Sequence, residues 1–255
     1  MSEKLAGHKF LARLGKKRLR PGGRAATEWL MQQGALTPST RVLEVACNMG
    51  TTAIEIAQRY GCAIVGVDMD KAALLQARQN ILTAGVEGRV TVTEANALAL
   101  PFPDNHFDVV INEAMLTMYA DKAKRPLIQE YLRVLKPGGR LLTHDIMLLP
   151  QASGDVTTQM RAAINVNVQP LTLAGWRNLF LDSGFSQVEN VQGAMTLMTP
   201  SGMIYDEGWG GAVRIVLNAL KAENRATFLK LFRTFRRYRH QLNYIAICST
   251  KGMPQ

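Results

Sequence analysis

Residues 42–53, VLEVACNMGTTA, decide how the chain is read. A β-branched apolar run, VLEV, enters a short turn and leaves it as a helix beginning TTAIEIAQRY. A strand–turn–helix of this kind usually carries glycines, because the backbone turns through φ > 0 and passes close to a ligand. Here only Gly50 is present, and Ala46 and Asn48 stand where further glycines are expected. Asn is the residue other than glycine most tolerant of the left-handed region, so Asn48 is expected at φ > 0. Ala46 adds a single methyl group. The loop therefore suits close ligand contact but not a pyrophosphate, which favours the full G-x-G-x-x-G pattern.

Working outward, strands and helices alternate. AIVGVD is a second strand, RVTVTEA a third, FDVVIN a fourth and GRLLTHDIML a fifth, with helices between them ended by Gly61, Gly85 and the PGG at 137–139. This order implies right-handed crossovers and a parallel sheet with helices on both faces. FSQVENVQ and LNYIAICST are two more strands, separated by about fifty residues with helical spacing. The expected fold is α/β, a Rossmann-like doubly wound seven-stranded sheet with a helical insertion between its last two strands. The expected parts are a basic helical arm over 1–34, a core over 35–198 and 241–255, and a helical lid over 199–240.

Two acids flank the first loop. Asp68 ends the second strand, where a carboxylate can accept from two vicinal ribose hydroxyls; capping the next helix is its alternative role. Glu44 lies inside the first strand. A buried carboxylate is costly unless it is paired or hydrogen-bonded, so it wants a buried Arg or a ligand carrying an ammonium group.

Taken together, these segments resemble the class I S-adenosylmethionine-dependent methyltransferases. VLEVACNMG is similar to the family's first motif, VGVDMD to its acidic second-strand motif, EANALALPFPDNHFDVVI to its GDAxxLPFxDxxFDxV run, and LKPGGRLL to the turn before its fifth strand. The motifs occur in order over residues 41–142, and the helix TLAGWRNLFLDSGF extends the likeness to about 192. The small-molecule, quinone-biosynthesis-like branch is nearest. The resemblance implies S-adenosyl-L-methionine as cofactor. Glu44 would sit by its methionyl amino group, with Ala46, Asn48 and Gly50 forming the loop. Asp68 would bind the ribose, with Met69, Asn96 and Ala97 at the adenine and Glu113 near the methyl. Arg20 or Arg24 would neutralise the carboxylate. Asn96 departs from the family's Asp, and its carbonyl can accept equally well.

The net charge of +10 is concentrated at the two ends, with +7 in residues 1–24, +6 in residues 221–240 and −3 in the remainder. Like charges brought together repel, so an anionic partner is expected between or beside them. The expected reaction is in-line methyl transfer to a small-molecule acceptor bearing a carboxylate or phosphate. His144 or Glu113 would be the base, and Tyr205, Trp209, Arg233 and Arg236 would line the acceptor site. An RNA methyltransferase using the basic arms, or a non-catalytic cofactor-binding protein, is the alternative. No Asn/Asp-Pro-Pro-aromatic motif follows the fourth strand, and NEAM stands there instead. A Pro-Cys nucleophile is also missing. Glu113, His144 and Asp145 lack metal-ligand spacing, so no metal is expected. Cys47, Cys62 and Cys248 form no CxxC pair and suit a reducing compartment, which points to the cytoplasm. No apolar run suggests a membrane span or a secretory signal, while the basic, acid-poor start leaves a transit peptide open.

Overall fold

The computed structural model describes residues 5–253. The outermost ends of the expected arm and core, 1–4 and 254–255, lie outside them. Two helices, α1 (Gly7–Arg13) and α2 (Gly23–Gly34), precede the sheet. Then come β1 (Arg41–Val45), α3 (Thr51–Tyr60), β2 (Ala63–Asp68), α4 (Lys71–Ala84), β3 (Val90–Glu94) and β4 (Phe107–Glu113). The chain continues through α5 (Asp121–Val134), β5 (Leu135–Leu148), α6 (Val156–Ile164), β6 (Leu171–Thr172) and α7 (Leu173–Asp182). It ends with β7 (Phe185–Ala194), α8 (Pro200–Leu220), α9 (Ala222–Arg237) and β8 (Leu242–Lys251).

The sheet runs β3-β2-β1-β4-β5-β8-β7, seven strands as expected, with the two-residue β6 added beside the end of β5. Pairings from β3 through β5 are parallel, while β8 enters antiparallel between β5 and β7. Strand order reverses at β1, whose neighbours are β2 and β4, so ligands are expected beyond the carboxyl ends of these strands. Period-two alternation along β1 sends Leu43 and Val45 into one core with Tyr131, Trp176 and Phe180. Val42 goes to the other core, with Leu30, Ile56 and Leu142. Glu44 shares the face of Val42 and so points toward the start of α3.

The helical parts that flank the sheet form a third core. Phe10, Leu11 and Leu14 of α1 pack with Met203 and Ile215 of α8 and Leu231 of α9. Gly208 breaks α8 at φ 73, ψ 169, in the YDEGWGG stretch that reads as a hinge. α6 was not expected from the sequence, although Val156, Met160 and Ala163 give it a buried face at helical spacing. Among the described residues no helix is long and apolar enough to cross a membrane.

The first loop holds three left-handed residues in alternation: Ala46 at φ 59, Asn48 at φ 49 and Gly50 at φ 74. Ala46 is the strained member, since a left-handed L-residue costs about 1–2 kcal/mol. Ala46→Gly should therefore raise stability by about 0.5–1 kcal/mol after the added unfolded-state entropy, read as a higher Tm. Asn48→Val should lower it, because a β-branched side chain resists this region.

Candidate active site

A cavity of about 390 Å³ opens at the carboxyl ends of β1, β2 and β4. Its floor is Glu44 and the loop residues Ala46, Cys47, Asn48 and Met49; Thr51 and Thr52 at the start of α3 complete that wall. Asp68 and Met69 lie at one end, with Ala95 and Ala97 beside them. Glu113, Met115, Met118 and Tyr119 form the far wall, and His8, Lys17, Leu19 and Arg20 of the arm cover it.

Asp68 organises the loop. Its Oδ2 accepts from the Asn48 N–H at 2.9 Å and its Oδ1 from the Asp70 N–H at 2.9 Å. The helix-capping role belongs to Asp70, which accepts from the N–H groups of Ala72 and Ala73. Asp68 keeps further lone pairs for a ligand. Gly50 shapes the turn without lining the cavity. Cys47 is buried, and burial pushes its thiol up, away from nucleophilic use.

Beneath the loop lies a buried charged network. The Arg20 Nε is 3.1 Å from Glu113 Oε2, and its terminal nitrogens donate to the hydroxyls of Thr27 and of Thr52, the latter at 2.8 Å. Those hydroxyls donate onward to Glu113, at 2.9 Å from Thr27 and 2.8 Å from Thr52, and His144 Nδ1 lies 3.2 Å from Glu113 Oε1. Four partners fill the carboxylate, and Arg20 and His144 overcome its burial to hold it at about 2. Glu44, with its Oε2 accepting from the Ala53 N–H at 3.0 Å, goes the other way. Burial first and the Glu113 charge second push it up to about 8.

These contacts revise the expected bases. Glu113 has no lone pair left for a substrate proton. His144 is fully buried, and its Nε2 accepts from the Gly22 N–H at 3.0 Å, so Nδ1 carries the proton that Glu113 receives. Neither presents a free basic atom to the cavity.

The expected acceptor residues are not brought together. Tyr205 and Trp209 are exposed, and neither they nor Arg233 and Arg236, exposed on α9, line the cavity. Arg24 pairs with Glu28 at 2.9 Å on the surface. Asn96 is exposed, with its Oδ1 accepting from the Leu98 N–H, while its neighbours Ala95 and Ala97 line the wall.

The basic arm meets two acids of the chain itself. Asp206 and Glu207, in the broken part of α8, receive the arm. Lys16 Nζ lies 3.2 Å from Asp206 and 3.5 Å from Glu207. The Glu207 carboxylate also takes the N–H groups of Lys17 and Arg18, and Asp206 that of Arg24. Gly23, at φ 57, lets the backbone pass against the Asp206 carboxylate, where a side chain would collide with it. This contact carries His8, Lys17 and Leu19 to the cavity. None of the three was expected, and only the arm's charge pattern drew attention to their segment.

With that geometry in view, known proteins are informative. Residues 42–139 match the methyltransferase domain family. An uncharacterized protein of Haemophilus influenzae is 53% identical over 98% of this chain and 100% of its own length. A ubiquinone/menaquinone biosynthesis C-methyltransferase of Shewanella sediminis is 30% identical over 62% of this chain and 71% of its own length. A crystal structure of a protein described as a sarcosine dimethylglycine methyltransferase from Galdieria sulphuraria superposes with TM-score 0.76 at 16% identity. That superposition covers 96% of this chain and 98% of the other, and it supports the fold. The chain belongs to the class I S-adenosylmethionine-dependent methyltransferases. It is an enzyme of that class, with S-adenosyl-L-methionine as its cofactor.

The arm contact can be tested directly. Lys16 and Asp206 are each 1% exposed, so Lys16→Met leaves two buried carboxylates short of a cation. Removing one partner of a buried pair costs about 3–5 kcal/mol. The variant should show a lower Tm, and limited proteolysis should cut faster within residues 5–20.

Proposed function

We propose that the large cavity holds the cofactor, and that the enzyme methylates a small-molecule acceptor by in-line displacement. The observation that carries this reading is the pairing of Glu44, a buried acid raised to about 8, with a loop turned inward at three left-handed residues. Glu44 is held up by burial and by a neighbouring negative charge, and a ligand ammonium group is what would return it to the carboxylate. Asp68 would take the ribose hydroxyls with the lone pairs that its two backbone contacts leave free. Met69, 63% exposed on the cavity wall, would cover the adenine, with Ala97 beneath it. Arg20 has two N–H groups beyond its three contacts and would receive the methionyl carboxylate, with Lys17 at the mouth. Asn96 could join only by turning its amide toward the adenine.

When bound, the cofactor supplies an electrophilic methyl on a cationic sulfur. The protein's part is to hold that methyl in line with the acceptor and to exclude water. The arm and the α8–α9 insertion act as the helical lid that does so. The arm's Lys16, Arg18 and Arg20 pair with carboxylates of the chain, which weakens the support for an RNA substrate, while the basic face of α9 stays exposed. Arg233 and Arg236 do not line the cavity, so they make no direct contact with an acceptor held there. Three buried free cysteines suit a reducing, cytoplasmic setting.

Calorimetry tests the cofactor site. S-adenosylhomocysteine should bind and NAD should not; Asp68→Ala should weaken binding by about 1.5–3 kcal/mol. Tight NAD binding with no adenosylhomocysteine signal would overturn the reading. Glu44 adds a pH signature. Its carboxyl is mostly protonated below about 8, and pairing with an ammonium group requires its charge, so binding releases a proton. Affinity should rise with pH between about 6 and 7.5, by at most about tenfold per unit. Glu44→Gln should bind more weakly and lose that slope.

A further inference from the structure

A second cavity, of about 70 Å³, lies beside the first. His8, Leu19, Ala114 and Met118 line both, so the two adjoin under α1. The second is walled by Leu11, Ile146, Val168, Leu231 and Phe235, and among the described residues no Lys or Arg lines it. A carboxylate or phosphate would lose its water there without gaining a cation. Its polar groups are few: His8, Thr117 and Asp145. Two of them carry buried atoms without a hydrogen-bond partner, His8 Nδ1 and Thr117 Oγ1. An apolar wall with few polar groups is what an apolar ligand bearing one polar group would fill.

Of the other basic groups nearby, Asp145 lines the smaller cavity alone, while His144 and Glu113 are engaged. Asp145 accepts the Thr117 N–H at 3.0 Å and the Ile146 N–H at 2.8 Å, one on each oxygen. His144 Nε2 holds the Gly22 N–H, and Glu113 is filled by its four partners. Among the described residues His8 is the one titratable side chain that borders both cavities.

We propose that the second cavity takes the reacting end of the acceptor, that the acceptor is an apolar molecule presenting one hydroxyl or acidic carbon, and that His8 is the catalytic base. The proposal rests on placing the cofactor in the larger cavity. As the acceptor's oxygen or carbon bonds to the methyl, the methyl–sulfur bond breaks and its electron pair stays on sulfur as a neutral thioether. The acceptor's proton passes to the His8 imidazole and from there to solvent. Burial and Lys9 on its own helix hold His8 below its ordinary value of 6.5. Asp68 at the end of β2 and Asp70 at the start of α4 oppose them, while Lys17 lines the larger cavity with His8 and Asp145 the smaller. These surroundings favour the neutral imidazole, the form that accepts a proton. At about 70 Å³ the cavity admits only the reacting end, so a bulkier acceptor requires α1 to shift outward.

The test uses the whole chain saturated with S-adenosylhomocysteine and labelled with ¹⁵N-histidine, with phenol as the probe. Phenol should shift the His8 ring-nitrogen resonances, assigned with His8→Gln, and phosphoethanolamine should not. Leu231→Trp, which fills the cavity, should abolish the phenol shift while adenosylhomocysteine affinity, serving as the check on folding, stays within about threefold. A second arm follows labelled methyl from S-adenosylmethionine into phenol, 2-naphthol, phosphoethanolamine and glycine. Transfer should go to an aryl hydroxyl, and His8→Gln should lower kcat about a hundredfold or more and remove the acidic limb of the pH profile. No phenol shift, a shift that survives Leu231→Trp, or transfer only to the charged probes would overturn the apolar site. Absence of transfer to both aryl hydroxyls, or unchanged turnover in His8→Gln, would overturn the base. If adenosylhomocysteine itself fails to bind, it is the cofactor placement that falls.

Discussion

The buried Arg20–Glu113 pair is the contact on which the site depends. Arg20 belongs to the segment between α1 and α2, and Glu113 ends β4, so the pair fastens the arm to the sheet at the strand-order reversal. Each side is only a few per cent exposed. Such a pair adds little net stability compared with well-packed apolar residues, but losing one partner leaves a bare charge in a low-dielectric interior. Its value here is positional. Through Thr27 it sets α2, through Thr52 the first turn of α3, and through His144 the end of β5. Four elements are thereby referred to one carboxylate.

The same carboxylate governs Glu44. Two acids near one cation cannot both ionise cheaply, and Arg20 settles the contest in favour of Glu113, its direct partner. Glu113 falls to about 2 and Glu44 rises to about 8. The consequences for stability have opposite signs. The Glu113 contribution is present above the ordinary carboxylate range and is lost as pH falls toward 2. The Glu44 contribution is present below that range and is lost as pH rises through 8, because the empty site must then bury a second negative charge. A cationic ligand removes that penalty. The site is thus least comfortable, when empty, in the pH range where a ligand ammonium group is the remedy.

Much of this was legible in residues 42–113, where local chemistry and position coincide. A strand ending in Asp68, an Asn in place of a turn glycine and an acid inside β1 each carry a local physical reason, and each falls at the sheet's carboxyl edge. The arm and insertion were legible only as helices and charge. A basic helix face looks the same in sequence whether it meets solvent or a ligand. On α9, Leu231 and Phe235 turn inward, which leaves Arg233 and Arg236 outside. Asp206 and Glu207 sat inside a stretch read as a hinge, and their partners lie about 190 residues earlier. No periodicity reports a contact of that span. His8 was invisible for the same reason, since it reaches the site only because the arm docks.

The same buried charged network bears on the two groups expected as bases. His144 and Glu113 stand opposite one another on the paired strands β5 and β4, and this proximity is what disables them as bases. In a buried site, neighbouring acceptors satisfy one another, and a group that is fully hydrogen-bonded holds structure rather than accepting a substrate's proton. A base has to keep an unfilled lone pair beside the reacting atoms. In a fold whose sheet edge is already cross-linked by Arg20, such a group is more readily supplied by an element that closes over the site than by one built into it. His8 occupies that position.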